Sequence, residues 1–159
     1  MQVVPDSAVS LPGFLLLRND KKNPPGGGVC VCIKENIPCK RLVETEHQKV
    51  ESIWVQLRPH SPPQNITIIF LGVVYHSTTN GEVENATLRD HIQRNMDMYL
   101  LKHPNVTVIL TGDFNPTSNG LHSDSISRNN HLKQLVQFNT RVSGILDWFF
   151  TNKPHTFDL

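Results

Sequence analysis

Residues 66–75 read ITIIFLGVVY, a run so dense in β-branched and aromatic side chains that it fits a strand covered on both faces. A second apolar strand, VTVIL at 106–110, follows it. Between the two, Leu88, Ile92, Met96 and Tyr99/Leu100 recur at three- and four-residue steps, the period of a helix that buries one side. A helix is therefore expected over 88–102, capped by Thr87 with Asp90 as the partner acid, and ended by His103-Pro104.

Shorter elements surround this unit. Strands are expected at 14–17, 29–33 and 52–57, the last with Ile53, Val55 and Leu57 on one face, and at 145–150. Pro24, Pro25 and Gly26–Gly28 mark a tight turn; their spacing fits no phosphate-cradling glycine motif. A polar loop is expected through Ser127, then a short helix over 130–138 with Leu132, Leu135, Val136 and Phe138 as its apolar side. Strands with two intervening helices indicate a layered α/β or α+β domain, and 159 residues suffice for one core.

Composition excludes little. The formal net charge of +1 is low for a protein that binds nucleic acid mainly through phosphate attraction, although a hydrolase can confine its positive charge to one groove. No run is long enough to cross a bilayer, and residues 1–12 lack the basic start and apolar middle of a secretory leader. The expected location is intracellular, nuclear if the substrate is chromosomal DNA. Cys30, Cys32 and Cys39 form no C-x-x-C pair, so they are expected to be small buried thiols, with Cys30 and Cys32 on one strand face. Without a leader, the sequons at Asn65, Asn85 and Asn105 are expected to be chance matches.

Three places carry candidate chemistry. Gly112-Asp113-Phe114-Asn115 follows an apolar strand directly. On extended backbone, positions i and i+2 share a side, so Asp113 and Asn115 are expected to face one cleft with Phe114 anchored inward. A carboxylate beside an amide suits hydrolysis of a phosphate ester: the acid orients or deprotonates water, and the amide holds the water or a phosphate oxygen. An Asp/Asn turn at a strand end explains the tetrapeptide equally well. Tyr75-His76 closes the other long strand, where a phenol can donate to phosphate. Asp147 lies inside the apolar stretch LDWFF and is expected to need a hydrogen-bonding partner, for which Thr140-Arg141 lies close in sequence. Arg141 is also a candidate phosphate contact.

Taken in order, PDSAVSLPGFLLLRND, GGGVCVCIKENIP, ESIWVQL, GVVY, VILTGDFNP and TRVSGILDWFFTN resemble the endonuclease/exonuclease/phosphatase superfamily, which includes exonuclease III and deoxyribonuclease I. The nearer resemblance is to the endonuclease domain of non-long-terminal-repeat retrotransposons. The resemblance implies a four-layer sandwich, two packed sheets flanked by helices, here a single partial domain over 1–159 that is incomplete at both ends. It implies Mg²⁺- or Mn²⁺-dependent cleavage of a phosphodiester, DNA as partner, and a reverse transcriptase domain in a longer parent protein. By position, Asp113 resembles the aspartate that activates water, Asn115 the amide that holds water and phosphate, Tyr75 the tyrosine on the scissile phosphate, and Asp147 the acid that orients a catalytic histidine.

Departures from the family pattern accompany these matches. The family's metal-binding glutamate would precede Met1, and its Ser-Asp-His segment would follow Leu159, so the main metal ligands are expected outside this chain. His76-Ser77 stands where retrotransposon relatives often carry Arg-Pro-Pro, which leaves His76 as a candidate substrate contact. The implied activity in this chain is therefore weak or absent. Two other readings stay open: a non-catalytic binding module of this fold, and a phosphatase of the same superfamily.

Overall fold

In the computed structural model the described residues are 5–21, 28–61, 66–116, 120–142 and 144–157. Their elements are β1 (Phe14–Asp20), β2 (Gly28–Lys34), β3 (Cys39–Arg41), β4 (Glu51–Leu57), β5 (Ile69–Tyr75), α1 (Glu82–Lys102), β6 (Thr107–Asp113), α2 (Ser123–Asn130), β7 (Lys133–Gln134) and β8 (Asp147–Thr151). Strands β1 and β2 form an antiparallel pair, and the others form a six-stranded sheet in the order β3-β4-β5-β6-β8-β7. Only β5 and β6 run parallel in that sheet, and the crossover between them carries α1.

Two apolar clusters hold the layers together, one on each face of the large sheet. On one face Trp54, Phe70, Val74, Val108, Leu110, Trp148 and Phe150 meet Leu88, Ile92, Met96 and Tyr99 of α1 and Ile126 of α2. On the other, Ile53 and Val55 meet Val29 and Ile33 of β2, with Leu17, Leu57, Val73 and Tyr75 packed alongside. Strand β5 is thus covered on both sides, and Ile53, Val55 and Leu57 do share a face. Burying a side chain of this size contributes about 1.5–3 kcal/mol. The architecture is the expected one, two packed sheets with helices, and the described residues form three layers: helices, large sheet, small sheet.

Gly72 allows the tightest packing on the helical face. The Trp54 ring lies across it, and a Cβ there would sit 2.5 Å from Trp54 Cζ3. Polar side chains tie the two sheets together: Asn19 Nδ2 donates to the Ser52 carbonyl at 2.9 Å, and Arg41 Nη1 donates to the Arg18 carbonyl at 2.7 Å while its other nitrogens grip Glu46.

Several local expectations fail for identifiable reasons. Helix α1 starts at Glu82, because its first turns bury Asn85, and its buried face also carries His91 and Asn95, so a count of apolar residues misses the start. Thr87 is not the cap; its hydroxyl donates to the Val83 carbonyl inside the helix, and the Gly81 N–H donates instead to Glu84 Oε2 at 3.0 Å. The helix expected at 130–138 is absent. Residues 123–130 are helical, although a polar loop is expected through Ser127; His131 ends that helix in the left-handed region (φ 53°), and Lys133–Gln134 pair with β8. The thiols are not buried: Cys30 is exposed and Cys32 and Cys39 are half-buried. Residues 22–27 and the sequon at Asn65 lie outside the described residues, whereas Asn85 is buried against His76. No helix among the described residues is long and apolar enough to cross a membrane.

A buried polar cluster pins α1 to β4. His91 Nε2 lies 3.0 Å from Trp54 Nε1, 3.2 Å from Ser52 Oγ and 3.3 Å from Asn95 Nδ2. The indole N–H can only donate, so Nε2 accepts and the ring is neutral. Burial, with His47 and Arg94 nearby, pushes the His91 pKa down from 6.5 to about 4. The folded imidazole binds a proton less readily than the unfolded one. Its contribution is therefore complete above pH 6.5 and is lost as the pH falls toward 4, a change on the order of 3 kcal/mol. Urea unfolding between pH 7 and 5 should show a falling midpoint in the wild type, and a flatter profile in His91→Gln; parallel profiles would disprove this.

Candidate active site

The pairing register gathers the candidate residues at one end of the large sheet. Tyr75 ends β5 and lies beside Asp113, which ends β6. Asp113 in turn lies opposite Asp147, the first residue of β8. On the other flank Tyr75 lies opposite Glu51, the first residue of β4. Cross-strand partners share a face, so Glu51, Tyr75, Asp113 and Asp147 form one rung, each roughly 5 Å from the next. The rung faces the side on which β1 and β2 cover β4 and β5, since Tyr75 packs against that cluster.

Gly112 makes the junction possible. Its φ is +143°, and a Cβ would fall 1.8 Å from the Val74 carbonyl oxygen. Only glycine allows the two parallel strands to meet at this point. Phe114 is the inward anchor that the sequence suggests: it is fully buried and stacks on Trp148 at 4.9 Å between ring centroids.

Asn115 departs from the expected arrangement. Its φ of +46° places it in the left-handed region, so the extended-strand rule does not apply. The side chain is 3% exposed and donates from Nδ2 to the His76 carbonyl at 2.9 Å. Its backbone N–H reaches Asp113 Oδ1 at 3.3 Å. Asn115 therefore braces the loop beneath Asp113.

His76 is the hub of that brace. Its ring is buried, with Nε2 at 2.7 Å from Asn85 Oδ1 and Nδ1 at 2.9 Å from Asn80 Nδ2. An amide oxygen only accepts and an amide nitrogen only donates, so Nε2 carries the proton and the ring is neutral. Burial lowers its pKa, opposed mainly by the Asn85 hydrogen bond. The His76 N–H also donates to the Asp113 carbonyl at 2.8 Å. With both ring nitrogens engaged, His76 joins the end of β5 to the start of α1 and the loop after β6.

Asp147 is exposed, against the expectation of a buried acid in need of a partner. Only its backbone N–H uses Thr140, whose Oγ1 also accepts from Leu146 N–H, at 3.1 and 3.0 Å. This clamp fixes a tight turn between Arg141 and Gly144. Arg141 pairs with Asp113 rather than Asp147, Nη2 to Oδ2 at 3.4 Å.

The sequence reading missed Glu51 and Lys21. Glu51 Oε1 pairs with Lys21 Nζ at 3.0 Å, and the two residues line a cavity of about 650 Å³ with Asn19, Tyr75, His76 and Asn80. A signal for Glu51 existed: it shares the alternation of Ile53, Val55 and Leu57 and so had to face inward. Mg²⁺ needs near-octahedral oxygen ligation. Among the described residues no three acids, histidines or cysteines gather to supply it, so Asp113 and Asp147 provide at most part of a metal site.

No family model matches the chain, and its sequence finds no relative among curated proteins. Solved structures do resemble it. The catalytic domain of human Nocturnin, solved with a bound sulfate anion, superposes with a TM-score of 0.61 at 15% identity, over 93% of this chain and 64% of that one. A mannosyl-6-phosphatase of Bacteroides thetaiotaomicron gives 0.57 at 14%, over 92% and 65%. Truncated TDP2 of Caenorhabditis elegans gives 0.53 at 11%, over 87% and 61%. The chain thus shares its fold with these three structures, and it spans less than two thirds of the length of each of them.

Gly112→Ala tests the junction. It should cost several kcal/mol or abolish cooperative unfolding, because the added methyl meets backbone rather than a movable side chain. Near-wild-type stability in urea would show that β5 and β6 do not meet as described.

Proposed function

We propose that this chain carries the phosphate-handling part of a phosphodiester hydrolase. The observation that carries the reading is the rung itself, which sets a phenol and two carboxylates on neighbouring strand ends, with the exposed Arg141 paired to Asp113, in a fold shared with a phosphatase and with TDP2. In this reading the Tyr75 hydroxyl donates to a non-bridging oxygen of the scissile phosphate. Arg141, exposed at the turn, leaves Asp113 to pair with that phosphate. Asp113, freed and still braced by the Asn115 N–H, accepts a proton from the attacking water as the water oxygen bonds to phosphorus and the ester P–O bond breaks, the leaving oxygen taking a proton from solvent. Asp147 adds a second acid beside it. His76 and Asn115 act as positioning residues, consistent with their buried hydrogen bonds.

The ordered sequence resemblance supports a finer assignment, a retrotransposon-type DNA endonuclease working beside a reverse transcriptase domain. A divalent cation is part of that assignment, but the described residues alone do not form its cage, and hydrolysis by this chain by itself is expected to be slow. The cavity beside Tyr75 is what favours the phosphatase alternative, since it is of a size suited to a small ligand.

Two measurements test the proposal. Affinity for a short single-stranded oligodeoxynucleotide should drop about threefold to tenfold in Tyr75→Phe and in Arg141→Ala. Nicking of supercoiled plasmid with Mg²⁺ should be near background, and any residual rate should vanish in Asp113→Ala. Unchanged affinity in both binding variants, or nicking that survives Asp113→Ala, would overturn the assignment.

A further inference from the structure

The cavity beside Tyr75 has a charge arrangement that the rung does not explain. Three acids line it: Asp20, Glu51 and Glu84. Asp20 is gripped by Arg18 through both carboxylate oxygens, at 3.2 and 2.7 Å. Glu84 accepts the Gly81 N–H at the start of α1, which holds its carboxyl below the usual range. Glu51 is different. Oε1 meets Lys21 Nζ, while Oε2 is shut off from solvent and has no hydrogen-bond partner.

That half-satisfied carboxylate has a consequence for Lys21. If the ammonium swung away, a largely buried negative charge would be left with no donor on either oxygen, a costly state. Glu51 therefore pins Lys21 in place. The backbone helps, since Asn19, two residues earlier, is tied to the Ser52 carbonyl next to Glu51. The ammonium has three donors and Glu51 accepts from one. The other two belong to a cation whose side chain is 34% exposed at the cavity wall. Lys49 lines the same cavity and makes no ion pair among the described residues.

We propose that this cavity is a second phosphate subsite, in which Lys21, positioned by Glu51 and assisted by Lys49, takes the phosphate adjacent to the one bound at Tyr75 and Asp113. The inference rests on the reading of the rung as the place of the reacting phosphate. It narrows the substrate to molecules with two phosphates on neighbouring positions: a nucleic-acid strand or a small bisphosphorylated compound. A lone phosphomonoester fills only one subsite.

Calorimetric titration in metal-free buffer with EDTA separates the possibilities, using thymidine 5′-monophosphate, thymidine 3′,5′-bisphosphate and a thymidine trinucleotide. Wild type should bind the bisphosphate about tenfold or more tighter than the monophosphate. Lys21→Met should erase most of that preference and leave monophosphate affinity nearly unchanged; Lys21→Arg should retain it. Glu51→Gln should reduce it by releasing Lys21, an effect that mere structural support would not confine to the bisphosphate. Lys49→Met, at an exposed position, should lower it if Lys21→Met does not fold. Equal binding of the trinucleotide and the bisphosphate assigns a strand; binding of the bisphosphate alone assigns a small molecule. No preference in wild type, or a preference that survives both Lys21→Met and Lys49→Met, would overturn the subsite. Loss of all Tyr75→Phe effects with the preference intact would remove the rung reading and leave the subsite standing.

Discussion

The parallel contact between β5 and β6 is the constraint on which the molecule rests. At its end the Val74 carbonyl and Gly112 approach so closely that no side chain fits between them. That approach sets Tyr75 level with Asp113, and the antiparallel neighbours on each side extend the row to Glu51 and Asp147. The same register sends Phe70, Val74, Val108 and Leu110 to the helical face. A one-residue slip would turn the acids into the core and the core side chains outward. Register, core and site are thus one decision.

What the sequence made legible follows from what each pattern measures. Apolar runs at 66–75 and 106–110 revealed buried strands because burial on both faces leaves no room for polar residues. Asp113, Tyr75 and Asp147 were visible as polar residues at or within such runs, and all three fall on one rung. Their partners were not visible. Arg141 pairs with Asp113 because a turn held by Thr140 carries it there, and no local pattern encodes that distance. Asn115 escapes the extended-strand rule because asparagine is a residue type that tolerates positive φ. The start of α1 and the position of α2 were not legible where a buried polar group stands in place of an apolar one: Asn85 in the first, Asn130 in the second.

Those buried polar groups divide the work. His91 joins α1 to β4 through Trp54 and Ser52, while His76 joins β5 to α1 and, through Asn115, to the loop after β6. Both imidazoles are neutral and both are held at low pKa by burial. One secures the helix to the sheet and the other secures the platform under the rung. The edge of the sheet is thereby left to exposed or half-exposed groups, Asp113, Asp147, Tyr75 and Arg141, of which Asp113 and Arg141 form an ion pair.

The rung draws its four members from four strands, and the 21-residue helix α1 lies in the crossover between β5 and β6. Contacts this distant in sequence are slow to form, because chain entropy is lost long before the pairing returns it. The hairpin of β1 and β2 and the helix can assemble early from local information. The rung cannot; its four members come level only once the whole sheet has closed.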